Sequence, residues 1–389
     1  MIRLPIDERL DWQQQADKIG FHFHTMYGDR YWDERAYYSF TREQIENDLE
    51  DPTEELNQMA LHVVDNIIND EELLKKFAIP ASQWDLVRHS WRQKDPSLYG
   101  RIDLSYDGSS PAKLLEMNMD TPTSVFEAGH WQWLWLEQNV DSAKLPRSAD
   151  QFNSIQEKLI YRFADIAAKH PNQQLHFACC KDTKEDLGTI EYLASCAAES
   201  GIPVKFSFIE DIGITQDNQF TDLDDELIEW IFKLYPWEFM MREEFGDYLA
   251  QQKCHWLEPP WKSLLSNKAI LPLLWSHFPK HPNLLPAYFA DQQHLLDQKG
   301  GIVRKPIFSR EGANIKIQKD GKVIAESDGF YGDEGFIYQG YAPLPKFGDY
   351  YTLIGSWLVG DKAAGLTIRE DGNIITQDMS RFVPHIIID

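Results

Sequence analysis

Tyr99-Gly100-Arg101-Ile102-Asp103-Leu104-Ser105-Tyr106 alternates apolar and polar residues. Asp107-Gly108-Ser109-Ser110-Pro111 then turns the chain, and Ala112-Lys113-Leu114-Leu115-Glu116-Met117-Asn118 carries it back. A period of two, interrupted by Asp-Gly, predicts an antiparallel hairpin. Residues two apart in a strand share a face, so Glu116 and Asn118 point one way, as do Arg101 and Asp103. The turn can bring Asp103 across to the other strand. Two carboxylates and an amide are hard oxygen donors that suit Mg²⁺, which keeps waters and takes phosphate oxygens. Arg101 beside them could neutralise charge on a phosphoryl group in transfer. By spacing alone, a solvated hairpin face fits as well.

Upstream, residues 43–78 read as helices. Leu49, Leu56, Met59, Leu61, Val63, Val64, Ile67 and Ile68 recur near a 3.6 period, with acids between them. Downstream, Asp120-Thr121-Pro122-Thr123-Ser124 could cap a helix running to about Gln138. The middle reads as α/β: helix 155–168, strand 175–179, helix 187–198 stopped at Gly201, strand 204–209, and a further helix over Leu223–Leu234. Pro259-Pro260 marks a boundary. The last part is rich in short strands at 301–306, 314–318, 323–326, 336–339, 351–359, 363–368 and Ile374–Gln377, and it is treated as one unit. Three regions follow: 1–150, helical and carrying the hairpin; 151–260, α/β and on the substrate side; and 261–389, binding nucleotide.

Two further constellations concern phosphate. Val303-Arg304-Lys305-Pro306-Ile307-Phe308-Ser309-Arg310-Glu311-Gly312-Ala313-Asn314-Ile315 is a strand with a lysine, a polar loop with one glycine, and another strand. Loop N–H groups can cradle phosphates and Lys305 can reach them, although an ordinary hairpin loop fits too, and there is no Walker or GxGxxG pattern. Lys268, in Leu265-Ser266-Asn267-Lys268-Ala269-Ile270-Leu271-Pro272, sits where an apolar helix begins, a place that disfavours a cation. Phosphate contact or solvation could explain it. Trp131, Trp133 and Trp135 do not share one helical face and read as a helix buried all round, and Tyr235-Pro236-Trp237-Glu238 reads as an aromatic turn packed in the core.

Composition narrows the classes. There are 62 acidic against 38 basic residues, a formal charge of −24, which repels nucleic acid and anionic lipid and would favour a cationic substrate such as a polyamine. The amino terminus carries no signal-peptide pattern and no apolar run is long enough to span a bilayer, so the expectation is a cytoplasmic protein with no membrane partner. Cys179, Cys180, Cys196 and Cys254 show no CxxC spacing and read as reduced, mostly buried thiols. His22 and His24 lack the spacing of a helical zinc site.

Taken in order, these stretches resemble the glutathionylspermidine synthase family, in its short form without an amidase domain. The resemblance runs from Phe21-His22-Phe23-His24 and Pro96-Ser97-Leu98-Tyr99-Gly100-Arg101 through Leu114–Ser124, Lys233-Leu234-Tyr235-Pro236-Trp237-Glu238, Leu265-Ser266-Asn267-Lys268 and Arg304–Gly312 to Gly355-Ser356-Trp357 and Ile368-Arg369-Glu370-Asp371. It implies an α+β, ATP-grasp-like synthetase whose antiparallel sheet carries the nucleotide site, with an inserted α/β, pre-ATP-grasp-like region. It implies ATP and Mg²⁺ as cofactors, with Arg101 on the transferring phosphate and Asp103, Glu116 and Asn118 on the metal. It further implies Lys268 and Lys305 on ATP phosphates, the Gly312 loop covering them, Gln339 and Gly340 beside the adenine, and Arg369 facing an acyl phosphate. The implied reaction joins a small-molecule carboxylate, such as a peptide, to an amine, such as a polyamine, through that acyl phosphate. The alternative is an ATP-binding or ATPase homologue with other substrates or without ligase activity. Cys180-Lys181-Asp182-Thr183-Lys184-Glu185-Asp186 matches the family only loosely, and Thr121 and Thr123 stand where small hydroxyl residues are expected. The ATP half therefore transfers, whereas glutathione and spermidine specificity and oligomeric state do not.

Overall fold

The computed structural model describes residues 1–251, 254–377 and 379–388. The hairpin forms as expected: strand Tyr99–Ser105 pairs antiparallel with Lys113–Asn118, placing Asp103 opposite Glu116 and Arg101 opposite Asn118. It supplies two strands of a six-stranded sheet. Tyr350–Val359 pairs with Tyr99–Ser105, Lys362–Asp371 follows, Arg381–Val383 closes one edge, and the short strand Lys346–Phe347 adds to Tyr350–Val359. The back of this sheet carries Ile102, Leu104, Ile354, Leu366 and Ile368, all essentially inaccessible, in one core with Leu56, Met59, Ala60, Val63 and Val64 of helix Asp51–Ile67. Truncating one of these, such as Ile354→Ala, should cost about 2–5 kcal/mol. Alternation puts Arg101, Asp103, Glu116, Asn118 and Arg369 on the front face.

A second, five-stranded antiparallel sheet runs in the order Ala287–Phe289, Phe336–Gly340, Ile302–Pro306, Lys316–Lys319, Lys322–Glu326. Val303 lies between Gln339 and Ile317 on neighbouring strands, so these three and Lys305 share a face. The strand-rich last part therefore does not form one sheet. Its strands divide between this sheet and the hairpin's sheet, and His385–Ile387 returns to pair with Ala36–Phe40 beside Ile2–Pro5.

The middle forms a parallel sheet ordered His255–Leu257, Trp230–Lys233, Leu175–Cys179, Val204–Phe208, with helices Ile155–Ala167 and Lys184–Glu199. This corrects the helix expected over Leu223–Leu234. All four residues of Trp230–Lys233 are buried, and a strand buried on both faces loses the alternation that would identify it. Ile374–Gln377 is likewise not a strand; it bends past the Gly312 loop. The helix expected after Ser124 opens on a π-helical turn, Glu127–Trp131, and continues as Gln132–Asp141. Trp131 and Trp135 are buried on it, but Trp133 is 38% exposed, so the helix is not buried all round. Among the described residues, no helix is long and apolar enough to cross a membrane.

Candidate active site

The front faces of the two antiparallel sheets border one cavity of about 840 Å³. From the hairpin's sheet come Arg101, Asp103, Glu116, Asn118, Leu353 and Arg369; from the five-stranded sheet come Val303, Lys305, Ile317 and Gln339. Two hydrogen bonds tie the sheets together across it. Lys305 Nζ donates to the Leu115 carbonyl at 2.7 Å, and Gln339 Nε2 donates to the Leu114 carbonyl at 3.0 Å.

At its centre Arg101 grips Asp103 with two nitrogens, Nε to Oδ1 at 2.7 Å and Nη2 to Oδ2 at 3.2 Å, while Nη1 donates to the Thr123 carbonyl. Asn118 Nδ2 donates to Asp103 Oδ2 at 3.0 Å, so its carbonyl oxygen is what Asn118 offers a metal. Gly355 on the adjoining strand makes room for this arrangement. A Cβ there would lie 2.8 Å from Arg101 Cδ and 2.5 Å from Thr367 Oγ1.

Glu116 accepts from Lys268 at 3.1 Å. Burial would raise its pKa, but the ammoniums of Lys268 and Lys305, with Arg101, outweigh this and hold it at about 2. Burial pulls Lys305 the other way, down to about 8, against the attraction of Glu116. Lys268 stands behind Glu116 and away from the cavity wall, and it also donates to the Ser309 carbonyl at 2.8 Å. It thereby links Glu116, a carboxylate expected to hold metal, to the loop expected to cover phosphates.

That loop needs its glycine. Gly312 has φ +69°, and a Cβ on it would meet the Thr376 carbonyl oxygen at 2.5 Å. Arg310 on the same loop reaches across the cleft to Thr121 Oγ1 at 2.8 Å and Glu238 Oε1 at 3.2 Å. Arg369 donates through Nη2 to the Gln377 carbonyl at 2.5 Å and lies over the Phe382 ring. Three buried donors here, Ser309 Oγ, Arg310 Nε and Arg369 Nε, have no hydrogen-bond partner among the described residues. Val303, Ile317, Tyr341, Leu344, Leu353 and Ile375 make an apolar end beside Gln339 and Gly340.

The family model described as glutathionylspermidine synthase preATP-grasp matches residues 3–388. The chain belongs to the glutathionylspermidine synthase family. It is 38% identical to a Haemophilus influenzae protein named "Putative acid--amine ligase", over 98% of each chain. It is 30% identical to trypanothione synthetase of Crithidia fasciculata, over 83% of this chain and 52% of that one. Among solved structures, a glutathione synthetase-like effector from Globodera pallida shares the fold, with a TM-score of 0.50 at 10% identity, over 90% of this chain and 89% of that one. Membership carries the reaction class, an ATP-dependent, amide-forming ligase on an ATP-grasp fold.

In this glutathionylspermidine synthase family member, the far end of the cavity is built from residues to which the sequence reading assigned no role: the loosely matching stretch 180–186 and the aromatic turn at Tyr235. Glu185 and Asp186, in the first turn of helix Lys184–Glu199, line it with Asp182, Tyr235 and Phe239. Burial, reinforced by Glu185, pushes Asp186 up to about 6. Below the Thr121 loop, Asp120 forms a fully buried ion pair with Lys233 and accepts the Trp237 N–H at 2.9 Å. This fixes Tyr235-Pro236-Trp237-Glu238 against the hairpin's exit. The only prior signal was that both stretches belong to the resemblance.

Proposed function

We propose that this cavity binds Mg²⁺ and ATP, transfers the γ-phosphate to a small-molecule carboxylate, and joins the resulting acyl phosphate to an amine. One observation carries the reading: the two sheets and the Gly312 loop bring Arg101, Lys305, Arg310 and Arg369, and the oxygen donors Asp103, Glu116 and Asn118, onto one cavity that has an apolar end. The donor set fits magnesium, which takes one or two carboxylates and completes its shell with phosphate oxygens and water. Among the described residues, no group of three or more His, Cys, Asp or Glu could hold a metal without such help. When held by Asp103, Glu116 and Asn118, the metal would supply positive charge against the phosphates.

The protein's own groups do the rest. Lys305 holds phosphate oxygens, and Lys268 keeps Glu116 ionised and aimed. Arg101, already oriented by Asp103, meets the phosphoryl group in flight. The Gly312 loop covers the phosphates, and Arg310 and Arg369, which border the cavity, meet the carboxylate and its phosphate. Gln339 and Gly340 flank the adenine at the apolar end. A free carboxylate is a poor acyl donor, so ATP supplies the leaving group while the site supplies position and charge. Asp182, Glu185 and Asp186 favour a cationic amine, such as a polyamine, at the other end. The acid is a small carboxylate of peptide size. A cytoplasmic location, and the functional division into regions 1–150, 151–260 and 261–389, belong to this proposal.

Calorimetry with ATP and magnesium, followed by an ADP-release screen of acid and amine pairs with mass detection, tests it. The expected result is metal-dependent ATP binding and ADP formed together with an amide. No heat and no thermal shift at millimolar ATP would sink the reading.

A further inference from the structure

Three side chains far apart in sequence meet at the amine end of the cavity. The Tyr31 hydroxyl lies 2.7 Å from Glu127 Oε1 and 2.8 Å from Glu185 Oε1. Tyr31 and Glu127 are buried at 1% exposure each, whereas Glu185 borders the cavity. A hydroxyl has one proton to donate, so it satisfies one carboxylate and must accept from the other. Two bare carboxylates around it, walled by Phe21, Phe23 and Phe382 against Tyr31, would be strongly disfavoured. The second oxygen of Glu127 has no hydrogen-bond partner among the described residues. The resting arrangement is therefore one proton shared by the pair: Glu127 O–H to the Tyr31 oxygen, and Tyr31 O–H to the Glu185 carboxylate.

We propose that Glu127 and Glu185, joined through Tyr31, form the proton acceptor that converts the bound ammonium of the amine substrate into the free amine. This rests on the ligase reading above. An ammonium settling against Glu185 stabilises negative charge there, and the shared proton passes from Glu185 to water in the cavity it borders. One N–H bond of the ammonium then breaks, and its proton returns to the pair to re-form the one-proton state. The neutral amine attacks the acyl phosphate; the new C–N bond forms as the C–O bond to phosphate breaks. The second amine proton leaves on the phosphate, giving an amide and hydrogen phosphate.

Electrostatics supports the geometry. Burial, with Glu185 adding its repulsion, raises Glu127 to about 8, a value matched to accepting a proton near neutral pH. The charged groups facing the pair come from three elements: Arg369 on Lys362–Asp371 acts on Glu127, Arg101 on Tyr99–Ser105 acts on Glu185, and Asp186 follows Glu185 on its helix. The two arginines are also the groups placed at the acyl phosphate, so the acceptor sits where the amine must arrive.

The test has two arms. Infrared difference spectra between about pH 7 and about pH 9 read the pair directly. The wild-type chain should lose a protonated carboxyl band that Glu127→Gln lacks and Tyr31→Phe shifts. With an acid–amine pair found by ADP release, Glu127→Gln should cut amide formation by about 10²-fold, the scale of losing a general base. ADP formation from the carboxylate alone should fall far less, and the rise of the amide-forming rate towards alkaline pH should disappear. Tyr31→Phe, which keeps the ring in its aromatic packing, should displace that rise, which a merely structural tyrosine would not do. The absence of a Glu127-dependent titrating carboxyl, or an unchanged pH profile in both variants, overturns the proposal and leaves the ligase reading intact. Failure of every acid–amine pair to release ADP overturns the ligase reading and takes this role with it.

Discussion

At the end of the cavity proposed for nucleotide, Arg101, Asp103, Glu116, Asn118, Lys305 and Gln339 all stand on strands, each placed by register opposite or beside its partner. At the amine end Glu185 and Asp186 stand on a helix start, Tyr31 on a loop and Glu127 on a π-helical turn. The first end is rigid because sheet hydrogen bonding fixes each Cβ direction, and its charges neutralise one another before any ligand arrives. The second end is built from acidic side chains, which the proposal above assigns to a cationic amine. A phosphate site preorganised in this way suits a fixed ligand. A site built on loops and helix starts lets one fold serve different amines.

The sharpest way to break this comparison is to remove one charge at the rigid end. Arg101→Ala should leave ATP affinity within about an order of magnitude while cutting ADP formation by roughly 10²-fold or more, because the interaction is made mainly in the transition state. Glu116→Ala should instead weaken magnesium and nucleotide together, by about tenfold or more, the scale known for disturbing metal-site partners. Calorimetry beside steady-state rates separates the two. If both are only solvated hairpin residues, each substitution costs within about half a kcal/mol of stability and spares activity.

At the other end the expected effects are on amine use. Glu185→Gln should raise the KM for the amine severalfold, with ATP affinity little changed; an equal loss of ATP affinity would erase the distinction between the ends. Stability against pH sharpens it further. Glu127 in the folded chain has a pKa near 8 against an ordinary 4.5, so between these values the folded protein holds a proton that the unfolded chain has released. Stability should therefore fall as pH rises through that window, and Glu127→Gln should flatten the slope in thermal melts. The smallest effect concerns the thiols. Burial raises all four, Cys179 to about 12, Cys180 to about 11, Cys196 to about 12 and Cys254 further still, which makes each a poor nucleophile. Glutathionylspermidine should not be hydrolysed through any of them; thiol-dependent hydrolysis abolished by Cys→Ala would contradict this.

The same contrast explains what could be read from the sequence. Arg101, Asp103, Glu116 and Asn118 lie within one hairpin, where period-two alternation assigns faces, and their convergence follows from local chemistry. Lys305 was legible as a lysine able to reach phosphate, whereas Gln339 needed the family resemblance, and nothing local says that their two strands face the hairpin. Tyr31 and its two carboxylates lie 96 and 154 residues apart, and no periodicity connects them. Lys268 was legible as an anomaly at a helix start, but its partners Glu116 and the Ser309 carbonyl depend on tertiary packing. The strand Trp230–Lys233 was hidden by double-sided burial, and Ile374–Gln377 looked like a strand because its β-branched run packs against the Gly312 loop without pairing.

The account's central claim is that one cavity couples ATP to amide formation through an acyl phosphate. Oxygen tracing tests this most directly. A carboxylate substrate labelled with ¹⁸O in both oxygens is turned over with ATP, magnesium and the amine, and the phosphate released is analysed by mass. The account predicts one labelled oxygen in each phosphate formed with an amide, since the carboxylate oxygen that attacked the γ-phosphate leaves with it. ADP and phosphate released without label, the oxygen having come from water, would contradict it.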